Sequence, residues 1–147
     1  MKKQTVLKKE NILLGLEPIH ETDAVKKAGQ LLVESGYVDE AYIEGMLARE
    51  KIVSTYIGNG VAIPHGVNES AKHIKRSGIV VLQFPKSIKY HDNDCYLVIG
   101  IAGKENEHMK ILANIAEALS EEDEAKKLWK TDDIDFLYRV FSEGDDA

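Results

Sequence analysis

The apolar positions of this chain change their period along its length, and those changes divide it into elements. From Thr22 to about Ser35, Val25, Ala28, Leu31 and Leu32 recur at helical spacing. Thr22 is placed to cap the start, and Gly36 to end the run. A second helical stretch runs from Asp39 to about Glu50, with Tyr42, Ile43, Met46 and Leu47 facing inward. Met109, Ile111, Leu112, Ile115, Ala116 and Leu119 predict a helix over 106–119. Ser120 can cap a shorter one to Lys130, and Thr131 a last one that buries Ile134, Leu137, Tyr138 and Phe141. Elsewhere the pattern is that of strands. GIVVLQF (78–84) and DCYLVIGIAG (94–103) are almost continuously apolar, as strands covered on both faces are. SIKY (87–90) predicts a further short strand, and ENILLGLEPIH (10–20) a strand or turn ended by Pro18. The polar stretch 67–77 has room for a short helix. Two doubly covered strands among more numerous helices imply an α/β or α+β fold, with a central sheet between helical layers.

One short segment departs from both periods. GNGVAIPHG (58–66) spends three glycines and a proline around a single histidine, His65. Gly58 and Gly60 flank Asn59 and mark a tight turn before Val61-Ala62-Ile63. Pro64 fixes its own φ and drives Ile63 into an extended conformation. Gly66 has no Cβ, so other groups can approach the imidazole closely. The preceding IVSTYIG reads as the partner strand, and the whole as a hairpin that presents His65 rigidly.

Composition narrows the function. The net charge of −6, with acid concentrated in the last third, argues against a general nucleic-acid binder. A single cysteine, Cys95, excludes an intramolecular disulfide and suits a reducing compartment. In an apolar strand it reads as a small buried hydrophobe. No apolar run approaches the ~20 residues that span a bilayer, and no signal-peptide core follows the basic start, so a cytoplasmic location is expected. The 147 residues read as one domain, with a basic tail over 1–9 and an acidic tail over 143–147.

Three side chains are candidates for chemistry. His65 is either a loop histidine held by hydrogen bonds or a positioned base, ligand or nucleophile. His108, in KENEHMKIL, falls in the first turn of a predicted helix. There free N–H groups make a ready anion site and their dipole should depress its pKa, although a satisfied, partly buried histidine at a helix start reads equally well. Arg49, in LAREK, ends the helix just before the hairpin. Its guanidinium suits phosphate, although a solvated arginine beside Glu50 and Lys51 reads as well. The five histidines, at 20, 65, 73, 91 and 108, show no metal-ligand spacing, and Ser54 and Ser77 lack a nucleophile-elbow context.

LAREKIVSTYIGNGVAIPHG (47–66) resembles the phosphorylation-site region of IIA components of the bacterial phosphoenolpyruvate-dependent sugar phosphotransferase system, in the mannitol/fructose class. LVIGIAGKENEHMKILANIAEAL (97–119) resembles that class's second signature. SGIVVLQFP and the stretch from Glu10 to Val38 extend the likeness over nearly the whole chain. The resemblance implies a mixed sheet of about five strands between helical layers. It makes His65 the histidine phosphorylated by phospho-HPr, on Nε2, before transfer to a cysteine of the permease's IIB domain. By the same likeness His108 is the second active-site histidine, and Arg49 the basic residue beside the phosphoryl group.

The resemblance implies no cofactor and no metal. A monomer is expected, meeting the membrane permease only through its partner domains, with mannitol the expected hexitol. Val61, Ile63 and Val67 are candidates for an apolar docking centre, unless the first two simply pack inward. Backbone amides near Gly66 are candidates for stabilising phosphoryl charge. Two other functions compete: a nitrogen-related regulatory IIA that acts by binding proteins, and a metal-dependent hydrolase using several histidines.

Overall fold

The computed structural model describes residues 6–104 and 107–142. In chain order its elements are β1 (Leu7–Leu13), α1 (Glu21–Glu34), α2 (Ala41–Ile52), β2 (Tyr56–Gly58), β3 (Val61–Ala62), a 3-10 helix (Asn68–His73), β4 (Gly78–Tyr90), β5 (Asn93–Ala102), α3 (Glu107–Ala118), α4 (Glu122–Lys130) and α5 (Ile134–Ser142). The strands form one mixed sheet of five in the order β1-β4-β5-β3-β2. The β4–β5 pair at its centre is antiparallel. Two parallel pairs, β1 with β4 and β3 with β5, flank it.

Period two along the strands sorts the core into two layers. Val80 and Leu82 of β4 and Val98 and Ala102 of β5 face Ala24, Val25, Ala28 and Leu32 of α1 and Tyr42 and Met46 of α2. Their neighbours Ile79, Val81, Leu97, Ile99 and Ile101 face Ile111 and Ile115 of α3, Leu128 of α4, and Leu137 and Phe141 of α5. The sheet thus lies between helical layers, as the doubly apolar runs predict. Truncating a fully buried residue such as Ile99 to alanine should cost about 2–5 kcal/mol, since each layer is packed on both sides.

Several sequence expectations are corrected. The basic tail over 1–9 is too long: β1 begins at Leu7, which is fully buried, and Lys9 pairs with Asp135 at 2.8 Å. The alternation Leu7, Asn11, Ile12 is irregular and its register on β4 shifts, which hid the strand. The acidic tail over 143–147 lies outside the described residues. SIKY is no separate strand, because β4 runs through it to Tyr90 past an irregularity between Gln83 and Ile88 that places Ser87 at φ 68°. The cap of α1 is His20, whose Nδ1 accepts from the Thr22 amide, not Thr22 itself. At α5, Asp133 caps, accepting from the Asp135 and Phe136 amides, and Ile134 and Met109 point outward. The hairpin forms as expected, with Asn59 at φ 52° and Gly60 at φ 76°, but IVST is no strand and Ile52 still belongs to α2. Cys95 is fully buried, and its thiol is pushed up to about 12 by that burial.

Candidate phosphoryl site

His65 and His108 both lie just beyond the carboxyl ends of parallel neighbours, β3 and β5, where open α/β sheets gather their ligands. The route to His65 is fixed bond by bond. The Ile63 amide donates to the Thr55 carbonyl at 3.0 Å, and the Pro64 carbonyl accepts from the Ile101 amide at 3.0 Å. His65 then continues the parallel pairing beside Ile101. Beyond it the Gly66 amide donates to Tyr42 Oη at 2.9 Å, while that hydroxyl donates to the Ile101 carbonyl at 2.8 Å. Burial pushes the Tyr42 phenol up to about 12, so it keeps the proton this double role needs. A Cβ on Gly66 would lie 2.7 Å from the Tyr42 ring, so the close approach excludes any larger residue.

This packing decides the protonation of His65. Its Nδ1 lies 2.7 Å from the Ile63 carbonyl oxygen, which can only accept, so Nδ1 carries the hydrogen. In the neutral ring the free lone pair is then on Nε2. Burial lowers the His65 pKa, and the nearby Arg49 charge adds to that. The Ile63 hydrogen bond and Glu50 oppose it. At neutral pH the ring is an uncharged nucleophile with one available nitrogen.

His108 stands beside it, the ring centroids 5.2 Å apart and the planes inclined at 61°. Its pKa is lowered, the direction expected from sequence, but not through the helix dipole that suggested it. Burial is the main cause and His65 adds to it. Gly103 makes the approach possible, since a Cβ there would sit 2.5 Å from the His108 Cα. Arg49 lines the same cleft, of about 550 Å³, and its Nη1 donates to the Val53 carbonyl at 2.7 Å. The structure therefore gathers all three sequence candidates around one opening. A neutral nucleophile, a neutral imidazole and a cation suit the transfer of a dianionic group, where positioning and charge stabilisation carry most of the catalysis.

One expectation about this site fails, and one open alternative is decided. The Gly66 amide is not free for a phosphoryl oxygen, because Tyr42 takes it, and the Val67 amide donates to the Gly45 carbonyl. Val61 and Ile63 belong to the core, not to a docking surface. The exposed apolar groups at the cleft are instead Ile52 and Val53, 71% and 56% exposed at the end of α2. Sequence reasoning placed Tyr42 inward but missed its bonds to residues far along the chain. Asn59, given no role from sequence, serves the hairpin: its Nδ2 donates to the Leu119 carbonyl, and its carbonyl accepts from Trp129. Among the described residues no three His, Cys, Asp or Glu side chains are gathered to hold a metal ion.

Residues 5–144 match the family model of the phosphoenolpyruvate-dependent sugar phosphotransferase system, EIIA 2. The mannitol-specific phosphotransferase enzyme IIA component of Geobacillus stearothermophilus is 42% identical over 94% of this chain and 96% of its own length. The mannitol-specific EIICBA component of Pasteurella multocida is 41% identical over 88% of this chain, which spans only 22% of that longer protein. Enzyme IIAMTL of Escherichia coli, in its complex with phosphorylated enzyme IIBMTL, superposes with a TM-score of 0.87 at 33% identity, covering 93% of this chain and 99% of that one. With a match of that extent on top of the His65 site, the chain belongs to the EIIA 2 family of the sugar phosphotransferase system.

Proposed function

We propose that this protein is a cytoplasmic phosphoryl relay of a mannitol phosphotransferase system. His65 Nε2 attacks the phosphohistidine of HPr: a P–N bond forms at Nε2 as the P–N bond to HPr breaks, and the HPr imidazole leaves with the electron pair. A cysteine thiolate of the IIB partner then attacks the same phosphorus, and His65 leaves as a neutral imidazole. The observation that carries this reading is the Nδ1–H bond from His65 to Ile63 at the mouth of a cleft shared with His108 and Arg49.

In this scheme Arg49 stabilises the equatorial phosphoryl oxygens, and its bond to the Val53 carbonyl holds the guanidinium at the cleft. His108 donates a hydrogen bond to one of those oxygens. Replacing His108 by alanine should leave some phosphorylation of His65 but slow its transfer by about a hundredfold to a thousandfold, the usual reach of one positioned donor. Mannitol as the hexitol rests on relatives that carry that name over nearly the full chain. Those same relatives weaken the regulatory reading, in which the phosphorylated protein acts only by binding others. The hydrolase reading lacks an assembled ligand set among the described residues.

The test is intact mass after incubation with phosphoenolpyruvate, enzyme I and HPr, beside a His65→Ala variant. One acid-labile phosphoryl group, absent from the variant and discharged by a mannitol IIB domain, is the expected result. A folded wild-type protein that gains no mass would refute the relay. Phosphorylation without discharge to IIB would favour the regulatory role.

A further inference from the structure

Behind the cleft lies a buried polar cluster that the relay chemistry does not use. Glu50, next to Arg49 on α2, is only 9% exposed, unusual for a carboxylate. Its Oε1 accepts from the Thr55 amide at 3.2 Å, and its Oε2 accepts from the Thr55 hydroxyl in a short bond and from Tyr90 Oη at 2.6 Å. His91, at the β4–β5 turn, closes the cluster: its Nε2 lies 3.2 Å from Glu50 Oε1 and 3.2 Å from Glu21 Oε2 of α1. Burial and the Glu50 carboxylate push the Tyr90 phenol far up, so it stays a donor.

The cluster leads to the active histidine. Thr55, held through both its amide and its hydroxyl, offers its carbonyl to the Ile63 amide at 3.0 Å. The Ile63 carbonyl in turn accepts from His65 Nδ1 at 2.7 Å. Three consecutive links, Glu50 to Thr55, Thr55 to Ile63 and Ile63 to His65, therefore run from a buried anion to the reacting ring. The N–H and the C=O of Thr55, like those of Ile63, belong to different peptide units joined at Cα, so the links act through geometry: each holds the backbone that presents the next acceptor. We infer that Glu50 is a positioning residue for phosphoryl transfer, holding His65 in the Nδ1–H tautomer through Thr55 and Ile63.

The relay needs Nε2 unprotonated every time the ring accepts a phosphoryl group. A local bond from Nδ1 to Ile63 specifies this only if the Ile63 carbonyl is itself aimed. Pairing with β5 holds the segment on one side, and on the other side it is held by Thr55, which Glu50 fixes. The groups around His65 that bear on its protonation are Arg49 and Glu50 from α2 and His108 from α3. Those around Glu50 are Tyr90 of β4, His91 of the turn and, beyond it, Glu21 of α1. This inference rests on the relay reading for its functional consequence, but its primary test does not require phosphorylation.

The test is long-range proton–nitrogen NMR of the His65 ring in the unphosphorylated protein, together with the rate of phosphorylation by phospho-HPr. Glu50→Ala should mix the two tautomers, move the acid limb of the pH–rate profile, and slow acceptance by about tenfold, the scale of one lost hydrogen bond. Glu50→Gln, whose amide oxygen still accepts from Thr55, should restore the wild-type tautomer. Tyr90→Phe removes a bond from the same carboxylate without cutting the chain, and should lower stability while leaving the His65 ring signals in place. If Glu50→Ala does not fold, Glu50→Asp makes the same cut, its carboxylate one methylene short of Thr55. An unchanged tautomer in the folded Ala or Asp variant would overturn the proposal. So would a His65 response to Tyr90→Phe as large as that to Glu50→Ala, which would make the effect one of general stability. A wild-type protein that holds the Nδ1–H tautomer yet takes no phosphoryl group would defeat the relay reading and leave the positioning role standing.

Discussion

The imidazole of His65 gives its Nδ1 hydrogen to the carbonyl oxygen of Ile63, two residues behind it, at 2.7 Å. With Nδ1 committed to this contact, Nε2 is the nitrogen whose lone pair is left to attack. Phosphorus–nitrogen NMR of the phosphorylated protein should place the phosphoryl group on Nε2 with Nδ1 still protonated. Attachment at Nδ1 would mean that the Ile63 bond breaks before transfer, and the tautomer argument would fall with it.

The two cleft histidines also predict how pH acts on folding. Both pKa values are lowered below 6.5, chiefly by burial. In the unfolded chain each ring takes its proton near the ordinary value, whereas in the folded protein it does so only at lower pH. Their contribution is therefore complete above 6.5 and is lost as pH falls from there through the folded values. Denaturant midpoints measured between about pH 7.5 and about pH 5.5 should drop less in a His65→Ala/His108→Ala double variant than in the wild type. Equal drops in both proteins would locate the acid sensitivity elsewhere.

Tyr42 ties the histidine loop to the sheet with one hydroxyl, accepting from Gly66 and donating to Ile101. Tyr42→Phe deletes both bonds and leaves the Ile101 carbonyl in the interior without that donor. The expected cost is about 1–3 kcal/mol of stability, together with slower phosphoryl acceptance at His65. Urea denaturation and a single-turnover assay with phospho-HPr measure the two effects. A variant as stable and as fast as wild type would show that a water takes over the hydroxyl's place.

Gly103 makes a sharper prediction, because the group it meets is backbone. An added methyl would lie 2.5 Å from the His108 Cα, a distance that only movement of the start of α3 relieves. Gly103→Ala should therefore reproduce the kinetic defect of His108→Ala, with His65 still phosphorylated but transfer slowed. The ring-current shift between the two imidazoles, now 5.2 Å apart, should weaken at the same time. Normal kinetics in Gly103→Ala would remove His108 placement from the list of things the reaction needs.

These residues also mark what the sequence could and could not disclose. The central strands were legible because both faces of each are covered, so hydrophobicity ran unbroken through Ile79–Leu82 and Leu97–Ile99. His65 was legible because Pro64 and Gly66 act on the backbone locally. Tyr42 and Glu50 were not, since their partners Ile101 and Tyr90 lie far along the chain, and only the sheet order brings them near. Val61 and Ile63 read two ways from sequence, as docking patch or as core, for the opposite reason. Apolar residues beside a functional histidine look like a docking patch until the sheet claims them for the core.

Ile52 and Val53 are the large apolar side chains left exposed at the cleft, and they give the last prediction. They follow Arg49 on α2, line the cleft beside His65, and are 71% and 56% exposed. Large apolar groups so exposed beside a reactive site gain nothing for the fold, whereas a transient partner interface needs a small apolar centre inside a polar rim. Ile52→Asp should leave the thermal midpoint within about a degree or two, since surface changes rarely exceed ~0.5 kcal/mol. It should raise the KM for phospho-HPr and for the IIB acceptor by about tenfold, with kcat little changed, because it removes binding without touching the reacting atoms. A loss confined to kcat would place Ile52 in the chemistry through Arg49, whose guanidinium bonds the neighbouring Val53 carbonyl. No effect on either partner would move the docking surface off this end of α2.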